Sequence, residues 1–580
     1  MKSKKWLISL GLAVVLVVAF TLPACEPTPT EYWYTPAGDK ISFEIATMGG
    51  AYGNISLMVV EDLQDFGLDV DSVVLDSATF YDYLYYGPHE GGIDAFIFRE
   101  NPGPDPWADW IWVMLADPES WGLWWNPCWY DNEYYDELML ANYLSSNMSV
   151  KQDILFEIQE VLAQDVPIHF LMRDYFISVR RTDNWDNWFN EMDGLVSCIN
   201  EWSIRECTKL GDETQLKVGT LLAPMFSLDM HQPNLMHTDI GALYLMLVYE
   251  NLIYFPKIDE DLGAAYDCVP KLATSWSWSY EADGAGGQNQ ILTMNLREGV
   301  KWHDGENFTA DDVVYSVKNL MYSLGPTGPY WFSNGPINWT AAENEGEILP
   351  EHMLVTKTDT CQVVFRFIEG WHQNEYYLPV WMMGWAIVPE HIFNAEGAPE
   401  DPWRWAGNYT GTGPYRVKEF VAHNYLLLEH NDDYWGPLPE AEEILFQLYN
   451  DSEPMFLALE AGDIDVVMDF SVPLEKVANY EANPDLEVEI VPDLRVNYLG
   501  FNLHPTGGYE PLQDVVLRQA IAYAIDKQAI VDILMGGYAE VPYTWVYNES
   551  PSFNPDLAKY DYNITAAENL LLAANYTKHA

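Results

Sequence analysis

Residues 269–317 constrain the fold more than any other part of this chain. The Asp- and Gly-rich stretch 283–287 readily adopts positive φ, so it predicts a turn. Apolar and polar residues alternate over 292–296, which predicts a half-buried strand after the turn. Thr309 then offers a hydroxyl to a helix start, with Asp312 three residues further on, close to a capping-box pattern. The stretch therefore predicts a β unit that runs into a capped helix.

Length and composition predict a folded protein of more than one domain. A chain of 580 residues exceeds what one hydrophobic core supports, and it is 49% hydrophobic with 24 Trp. Its 88 acidic side chains outnumber 28 basic ones, for a formal charge of -60. Such a surface repels phosphate backbones, so we exclude nucleic acid as a partner.

The first 25 residues are typical of a targeting segment and not of the fold. Lysines near the start precede an apolar run over 6–20, which is too short for a comfortable membrane span. The sequence Leu-Pro-Ala-Cys at 22–25 resembles a lipoprotein cleavage box. That resemblance implies a lipid on Cys25 and a tether over 26–40. The alternative is an ordinary secretory signal in which Cys25 has no such role.

The remaining cysteines and histidines predict no metal site. Pairing of Cys198 with Cys207 and of Cys268 with Cys361 is open, and either way one thiol such as Cys128 stays free or buried. No C-x-x-C pair is present. A Met- and His-rich loop follows, but its histidines lack the spacing of a fixed metal geometry. We therefore expect neither metal nor cofactor.

The order of motifs in 269–317 resembles the signature region of the family 5 extracellular solute-binding proteins of ABC transporters. The family pattern P-x-L-A-x-S-W matches 270–276, L-R-x-G-V-K-[FW]-H-D-G matches 296–305, and T-A-x-D-V-x-[YF]-S matches 309–316. The family binds peptides, nickel and oligosaccharides. The resemblance implies an α/β, two-lobe periplasmic-binding-protein-like fold with an extra subdomain in lobe I.

The chain departs from the family in the order of its segments. In the family the signature lies near the mature N-terminus, whereas here more than two hundred residues precede it. From Leu216 onward the motifs follow the family order, and 41–210 looks like the missing later part of lobe II. We interpret this as a circular permutation, which is physically cheap where the original termini are close and exposed. The alternative is an artefactual fusion of fragments from neighbouring paralogues.

This interpretation divides the chain into a leader, a tether and three structural segments. Lobe II has its second part at 41–168 and its first part at 491–580, and lobe I lies between them at 169–490. The chain would cross between the lobes near 166–170 and near 491–498. Two crossings suit hinge closure around a ligand.

The stretch 100–110 aligns with a family segment on the lobe II side of the cleft. In peptide binders the first Asp of that segment pairs with the free amino group of the ligand, but here its position falls on Pro102. Glu100, Asn101 or Asp105 are candidate replacements. The alternative is that Asp105 only caps a turn.

Other candidate ligand-binding residues are aromatic or lie where the family places cleft-facing groups. Indole faces stack on sugar rings and apolar side chains, although most Trp residues in any protein serve packing. Glu250 has a structural ion pair as its alternative role. These candidates are Trp107, Trp110, Tyr249, Glu250, Trp403, Trp405 and Arg495.

The sequence lacks the constellations of common enzymes, including G-x-S-x-G, H-E-x-x-H and a P-loop. We therefore expect no catalytic residue and no enzyme. The resemblance implies a monomeric receptor on the outer face of the membrane, or in the periplasm, that captures a small peptide or oligosaccharide for an ABC permease. The alternatives are a surface carbohydrate-active hydrolase and a non-functional fusion.

Overall fold

The molecule mixes helices with large β-sheets, and the α/β class predicted from the sequence is confirmed. A computed structural model describes residues 31–86, 93–100, 115, 126–145, 147–189, 201–221, 246–254, 269–284, 286–323, 353–367, 386–395, 409–421, 423–468, 471–493, 495–548, 550 and 552–580.

The strands divide into one large sheet and several smaller ones. They are β1 (Tyr32–Tyr34), β2 (Ser42–Thr47), β3 (Asp69–Val74), β4 (Ala95–Glu100), β5 (Ile168–Arg181), β6 (Trp185–Asp186), β7 (Thr208–Lys209), β8 (Gln215–Leu221), β9 (Ile253–Tyr254), β10 (Val269–Pro270), β11 (Ala273–Ala282), β12 (Gln288–Leu296), β13 (Met353–Asp359), β14 (Gln362–Phe367), β15 (Tyr415–Val421), β16 (Tyr425–His430), β17 (Glu443–Tyr449), β18 (Val466–Val467), β19 (Leu486–Pro492), β20 (Val496–Phe501), β21 (Ala539–Glu540) and β22 (Thr577–His579).

The helices pack on these sheets and connect their strands. They are α1 (Gly50–Phe66), α2 (Ser77–Tyr86), α3 (Glu133–Leu144), α4 (Met148–Asp165), α5 (Glu201–Glu206), α6 (Ala310–Ser323), α7 (Glu390–Phe393), α8 (Ser452–Ala461), α9 (Leu474–Glu481), α10 (Val515–Ala524), α11 (Lys527–Met535) and α12 (Ile564–Ala573), with a 3-10 helix at Glu510–Gln513.

The stretch that opened the sequence analysis folds as predicted. Strands β11 and β12 form an antiparallel hairpin, and the Asp283 carboxylate accepts the N–H groups of Gly286 and Gly287 at 3.0 and 2.9 Å in its turn. At the start of α6 the Asp312 carboxylate accepts the Thr309 N–H at 2.8 Å, and the Thr309 hydroxyl accepts the Asp311 N–H at 3.2 Å. Local polar groups therefore fix both boundaries of the motif.

Two separate hydrophobic cores make the molecule bilobal. The core of lobe II is built from residues between Trp33 and Met172 together with residues between Val496 and Tyr576. The core of lobe I lies between Trp185 and Met468, with a satellite cluster under β5 and α8. Each core spans distant parts of the chain, as the predicted two-lobe fold requires.

Strand β5 joins the two lobes as one continuous strand of 14 residues. Phe170 and Met172 belong to the lobe II core, whereas Ile177 and Val179 belong to lobe I. The first crossing therefore lies a few residues after the predicted 166–170, because β5 stays paired with β20 as far as Met172. The second crossing lies between β19 and β20, inside the predicted interval.

Lobe I carries a second sheet besides its part of the large one. The strands β11, β12, β14 and β13 form a four-stranded antiparallel sheet, and α6 packs against β13 and β14. Its inward residues Leu292 and Phe365 are fully buried in the lobe I core.

The two ends of the described chain meet on lobe II. Strands β1 and β22 pair antiparallel, with Tyr32 opposite His579 and Tyr34 opposite Thr577. Trp33 between them is 1% exposed, and its indole N–H donates to the Phe66 carbonyl at 3.1 Å. Both terminal segments are therefore tied to the same core.

The described cysteines Cys128, Cys207 and Cys361 are all free thiols, and Cys128 is buried as predicted. The suggested pairings of Cys207 with Cys198 and of Cys361 with Cys268 are therefore wrong for this structure, in which the Cys207 thiol donates to the Ile204 carbonyl at 3.8 Å. Cys198 and Cys268 themselves lie outside the described residues. The leader with Cys25 and the Met- and His-rich loop also lie outside. Within the described parts of the chain, no helix is long and apolar enough to cross a membrane.

Asp62 on α1 predicts a measurable pH dependence of stability. Burial, and then the neighbouring acids, raise its pKa to about 6, although its carboxylate accepts the Asp526 N–H at 2.8 Å. The folded state then binds more protons than the unfolded state between about pH 4 and 6, so ionisation of Asp62 costs stability as pH rises through that window. We expect Asp62→Asn to raise the melting temperature at pH 7 and to have no effect at pH 4. Thermal unfolding at both pH values checks this.

The exposed Asp82 on α2 offers the matched control. Asp82→Asn removes the same charge without relieving a buried group, so its effect on melting should be small at both pH values. An equal gain from the two substitutions at pH 7 would assign the effect to net charge instead.

Candidate ligand-binding site between the two lobes

The parallel strands of both lobes end at the crossings. In lobe II, β2 runs parallel to β3 and β4, and Glu100 at the end of β4 pairs with Val496, the first residue of β20. In lobe I, β8 runs parallel to β17 and β18, and β18 pairs antiparallel with β5. Both sets of carboxyl ends therefore point at the segment where β5 passes from one lobe to the other. Open α/β sheets bind ligands at such edges.

The lobe II edge is lined by aromatic rings beside one carboxylate. Helix α1 begins just after β2 and carries Tyr52, and α2 begins just after β3 and carries Tyr81. Both rings pack on Phe98, with centroids 6.5 and 5.9 Å away. Burial, and then the proximity of Tyr52 and Glu100, raise the pKa of Tyr81, which is 38% exposed. This edge offers a half-buried apolar surface with a carboxylate at its border.

A cluster of charges fixes the two crossings to lobe II. The Arg99 guanidinium on β4 bonds the Asp174 carboxylate at 3.1 Å on the first crossing and the Asp493 carboxylate at 2.9 Å on the second. Arg495 also pairs with Asp493. Burial raises the pKa of Asp174, and the neighbouring Arg99 offsets part of that rise. One guanidinium thus connects both hinge strands, because each of its terminal nitrogens bonds a different carboxylate.

A second arginine anchors the first crossing from the other side. Arg173 is fully buried, its Nε lies 3.0 Å from a carboxylate oxygen of Glu540, and its Nη2 donates to the Trp545 carbonyl at 2.6 Å. Its Nη1 also reaches the Asp493 carbonyl at 3.4 Å. The hinge strands are therefore anchored to lobe II at the point where they leave it.

Glu250 lies in the interior of lobe I. It is fully buried, and its carboxylate accepts hydrogen bonds from the Thr412 hydroxyl, the Tyr434 hydroxyl and the Trp435 indole at 3.0, 3.0 and 2.7 Å. Arg205 lies 3.6 Å away. Burial raises the pKa of Glu250, and the nearby Lys271 and Arg205 offset part of that rise. This arrangement matches the structural role given as the alternative.

His303 of the signature region contacts the loop 411–413, which carries the Thr412 partner of that carboxylate. The backbone N–H of His303 donates to the Gly411 carbonyl at 2.9 Å, and the backbone N–H of Gly413 donates to the Val248 carbonyl at 3.0 Å. A Cβ at Gly411 would lie 1.8 Å from the Val248 carbonyl oxygen, so only glycine permits this approach. The signature region is thus tied to the interior of lobe I through this loop.

Comparison with known families decides the identity. The model for bacterial extracellular solute-binding proteins, family 5, middle region, matches residues 267–580, more than half of the chain. The chain belongs to this family. The family predicted from the signature motifs is thereby confirmed.

Individual family 5 relatives are similar over part of their length. The chain is 26% identical to the dipeptide-binding protein of Escherichia coli over 56% of this chain and 58% of the relative. It is 27% identical to the oligopeptide-binding protein AppA of Bacillus subtilis over 62% of this chain and 59% of the relative. The chain thus spans less than three fifths of the length of these two curated relatives.

Solved structures of solute-binding proteins are also similar. HbpA2 from Haemophilus parasuis is 23% identical, with a TM-score of 0.44 over 62% of this chain and 67% of that chain. DppA from Helicobacter pylori in complex with the peptide STSA is 20% identical, with a TM-score of 0.42 over 62% of this chain and 66% of that chain.

The predicted site residues fall into three groups. Glu100 and Arg495 lie together at the inter-lobe edge, whereas Tyr249 and Glu250 are buried in lobe I. The remaining candidates, Asn101, Asp105, Trp107, Trp110, Trp403 and Trp405, lie outside the described residues and stay predictions.

Sequence reasoning missed four residues of this edge. Tyr52 and Tyr81 lie near the starts of helices that follow parallel strands, which is a signal that the sequence carries. Arg99 and Asp174 carry no such signal, because their pairing joins residues 75 positions apart.

Proposed function

We propose that this family 5 protein is the extracellular binding component of an ABC importer and captures a small peptide by closure of its two lobes. The opposed carboxyl edges of the two sheets, with two strands crossing between them, carry this proposal. A ligand that contacts both edges would stabilise the closed arrangement over the open one. The relatives named for dipeptides and oligopeptides favour a peptide.

The lobe II edge fits a peptide in two respects. The Glu100 carboxylate offers an anionic partner for a free amino group, in place of the Asp that the family has at position 102. Tyr52 and Tyr81 offer flat surfaces for an apolar side chain. In this role Arg99 and Asp174 position the edge rather than touch the ligand. An oligosaccharide is the other ligand class, and stacking on Trp403 and Trp405 would be its signature.

The proposal includes a location and a partner. The protein would act outside the cytoplasmic membrane, held by a lipid on Cys25 and the tether 26–40, and would deliver its ligand as a monomer to an ABC permease. The large excess of acidic side chains suits a protein that stays soluble there.

We further propose that the chain order is a circular permutation of the family order. The pairing of β1 with β22 supports this, because it places the two ends of the described chain side by side. The single lobe II core, built from residues before 173 and after 495, supports it against a fusion of unrelated fragments.

The ligand class can be tested by calorimetry with unmodified and N-acetylated peptides of two to five residues and with oligosaccharides. We expect saturable binding of free-amine peptides, no turnover and no response to sugars. A peptide at a hundredfold excess over its Kd should stabilise the fold by about 2.7 kcal/mol. Binding of sugars alone would replace the peptide proposal, and hydrolysis of either ligand would contradict a receptor.

A substitution identifies the role of Glu100. Glu100→Gln should weaken binding of free-amine peptides by at least about tenfold, as expected for loss of a charge-assisted hydrogen bond, and should leave N-acetylated peptides unaffected. Glu44→Gln on the neighbouring strand β2 is the matched control, because Glu44 is exposed and lies before the carboxyl edge. Equal effects of the two substitutions would exclude Glu100 as the anchor.

A further inference from the structure

A pocket on the flank of lobe II lies apart from the inter-lobe edge. It is a small, partly open pocket with a cavity volume of about 20 Å³, between the end of α4, the start of β5 and the start of α11. Leu162, Phe170 and Pro542 give it apolar walls, and the rings of Tyr543 and Tyr560 complete the lining. His169 lies four residues before Arg173 on an extended strand, so the pocket is roughly 13 Å from the crossing.

Two nitrogen-bearing side chains face this pocket from buried positions. Lys527 is 3% exposed and His169 is 4% exposed. The Nε2 atom of His169 has no hydrogen-bond partner. Within the part of the chain that the structure describes, Lys527 has no carboxylate within ion-pair distance, and its ammonium lies 4.8 Å from the centre of the Tyr543 ring. Buried polar groups usually have a hydrogen-bond or ion-pair partner.

The charges around Lys527 leave the pocket locally basic. Lys559 lies 4.9 Å from the same Tyr543 ring. The nearest acid, Asp561, accepts the Tyr543 hydroxyl at 2.8 Å and so is already bonded. On the elements behind the pocket, the Asp165 carboxylate accepts the Tyr130 hydroxyl, and the Arg518 guanidinium donates to the Asp165 carbonyl.

The charged side chains at this pocket are mainly basic, whereas those of the whole chain are mainly acidic. The protein has 88 acidic and 28 basic side chains, yet the described residues that line this pocket include Lys527 and His169 and no carboxylate, and Lys559 lies beside it. Its small volume excludes a folded partner or a long chain. A compact anion is the ligand that supplies what the buried ammonium and imidazole lack.

We propose that this pocket binds a small oxyanion, a carboxylate or phosphate group held by Lys527 and His169. The group accepts hydrogen bonds from the Lys527 ammonium and from one ring N–H of His169. This site is independent of the proposed peptide site, because no lining residue belongs to the inter-lobe edge.

The proposal predicts a defined pH dependence. Burial lowers the pKa of Lys527 to about 8, with Asp561 offsetting part of the fall, and burial followed by the charge of Lys527 lowers the pKa of His169. A bound anion favours the protonated lysine and so raises its pKa. Affinity should therefore be constant below pH 8 and fall about tenfold per pH unit above it. Binding above pH 8 should take up protons, which calorimetry in buffers of different ionisation enthalpy measures.

The natural protein can be tested by lysine labelling. Acetic anhydride modifies lysines as free amines, and mass spectrometry reads Lys527 and the exposed Lys559 separately. Acetate, phosphate and chloride are the probes. We expect acetate or phosphate to slow the modification of Lys527 at least tenfold and to leave Lys559 unchanged. Equal protection by chloride would identify a halide site and overturn the oxyanion assignment. No saturable protection by any of the three would mean that the pocket holds water only.

Matched substitutions separate this site from the peptide site. Lys527→Met should weaken acetate and phosphate binding at least about tenfold, since one charged hydrogen bond is lost. Lys559→Met should have a smaller effect, because its ammonium is exposed. Both variants should bind peptides as the natural protein does. Unchanged anion affinity in Lys527→Met would refute the proposal, whatever the outcome for peptides.

Discussion

Replacing Glu250 by alanine is expected to lower the free energy of unfolding of lobe I by about 3–5 kcal/mol, the range for breaking a buried charged network. The substitution leaves the Thr412 hydroxyl, the Tyr434 hydroxyl and the Trp435 indole without their acceptor. It also removes a carboxylate 3.6 Å from Arg205, a guanidinium that pairs with Glu201 as well. Urea denaturation measures the loss, and hydrogen exchange places it in lobe I.

The exposed Glu442 beside β17 provides the control. Glu442→Ala removes an acid from the same lobe without opening a network, so it should change stability by less than about 0.5 kcal/mol. If Glu250→Ala keeps full stability and loses peptide binding instead, Glu250 faces the ligand, as the family resemblance implied. That outcome would contradict the structural role that its burial indicates.

Local features of the fold were predictable from the sequence, because short-range chemistry specifies them. The turn after β11 depends on the Asp283 carboxylate and on two glycines with positive φ, and the start of α6 depends on two polar residues three positions apart. Each feature needs only neighbours in the chain. The family match adds the two-lobe plan, which no local pattern contains.

The candidate site was only partly predictable. Glu100 came from the alignment with a family segment, and the structure places it beside Tyr81 at a strand end. Asp493 and Arg99 were not predictable, since 394 positions separate them and the chain has 88 acidic residues from which to choose a partner. Such a contact depends on the register of β4 against β20, which only the assembled sheet determines.

Trp33→Ala is expected to lower the free energy of unfolding of lobe II by about 3–5 kcal/mol, the usual cost of deleting a buried indole. Trp33 packs on Phe66, and its neighbours in β1 are held by β22 at the other end of the chain. The Lys578 ammonium also lies 5.4 Å from its ring. Denaturant unfolding with hydrogen exchange checks that the loss falls on lobe II, and Trp188→Ala, a half-buried indole of lobe I, is the matched control.

The pairing of β1 with β22 also makes the order of the chain testable. The reordered protein begins at Asp212, continues to Ala580 and then passes through a short Gly-Ser linker to residues 31–211. It should keep every pairing of the large sheet, because β1 and β22 already place the joined ends side by side. Its new ends fall in the exposed bend between β7 and β8. We expect it to fold with the stability and ligands of the natural protein, and Trp33→Ala to cost the same in both orders. A reordered chain that cannot form the lobe II core, while the natural chain does, would contradict the permutation.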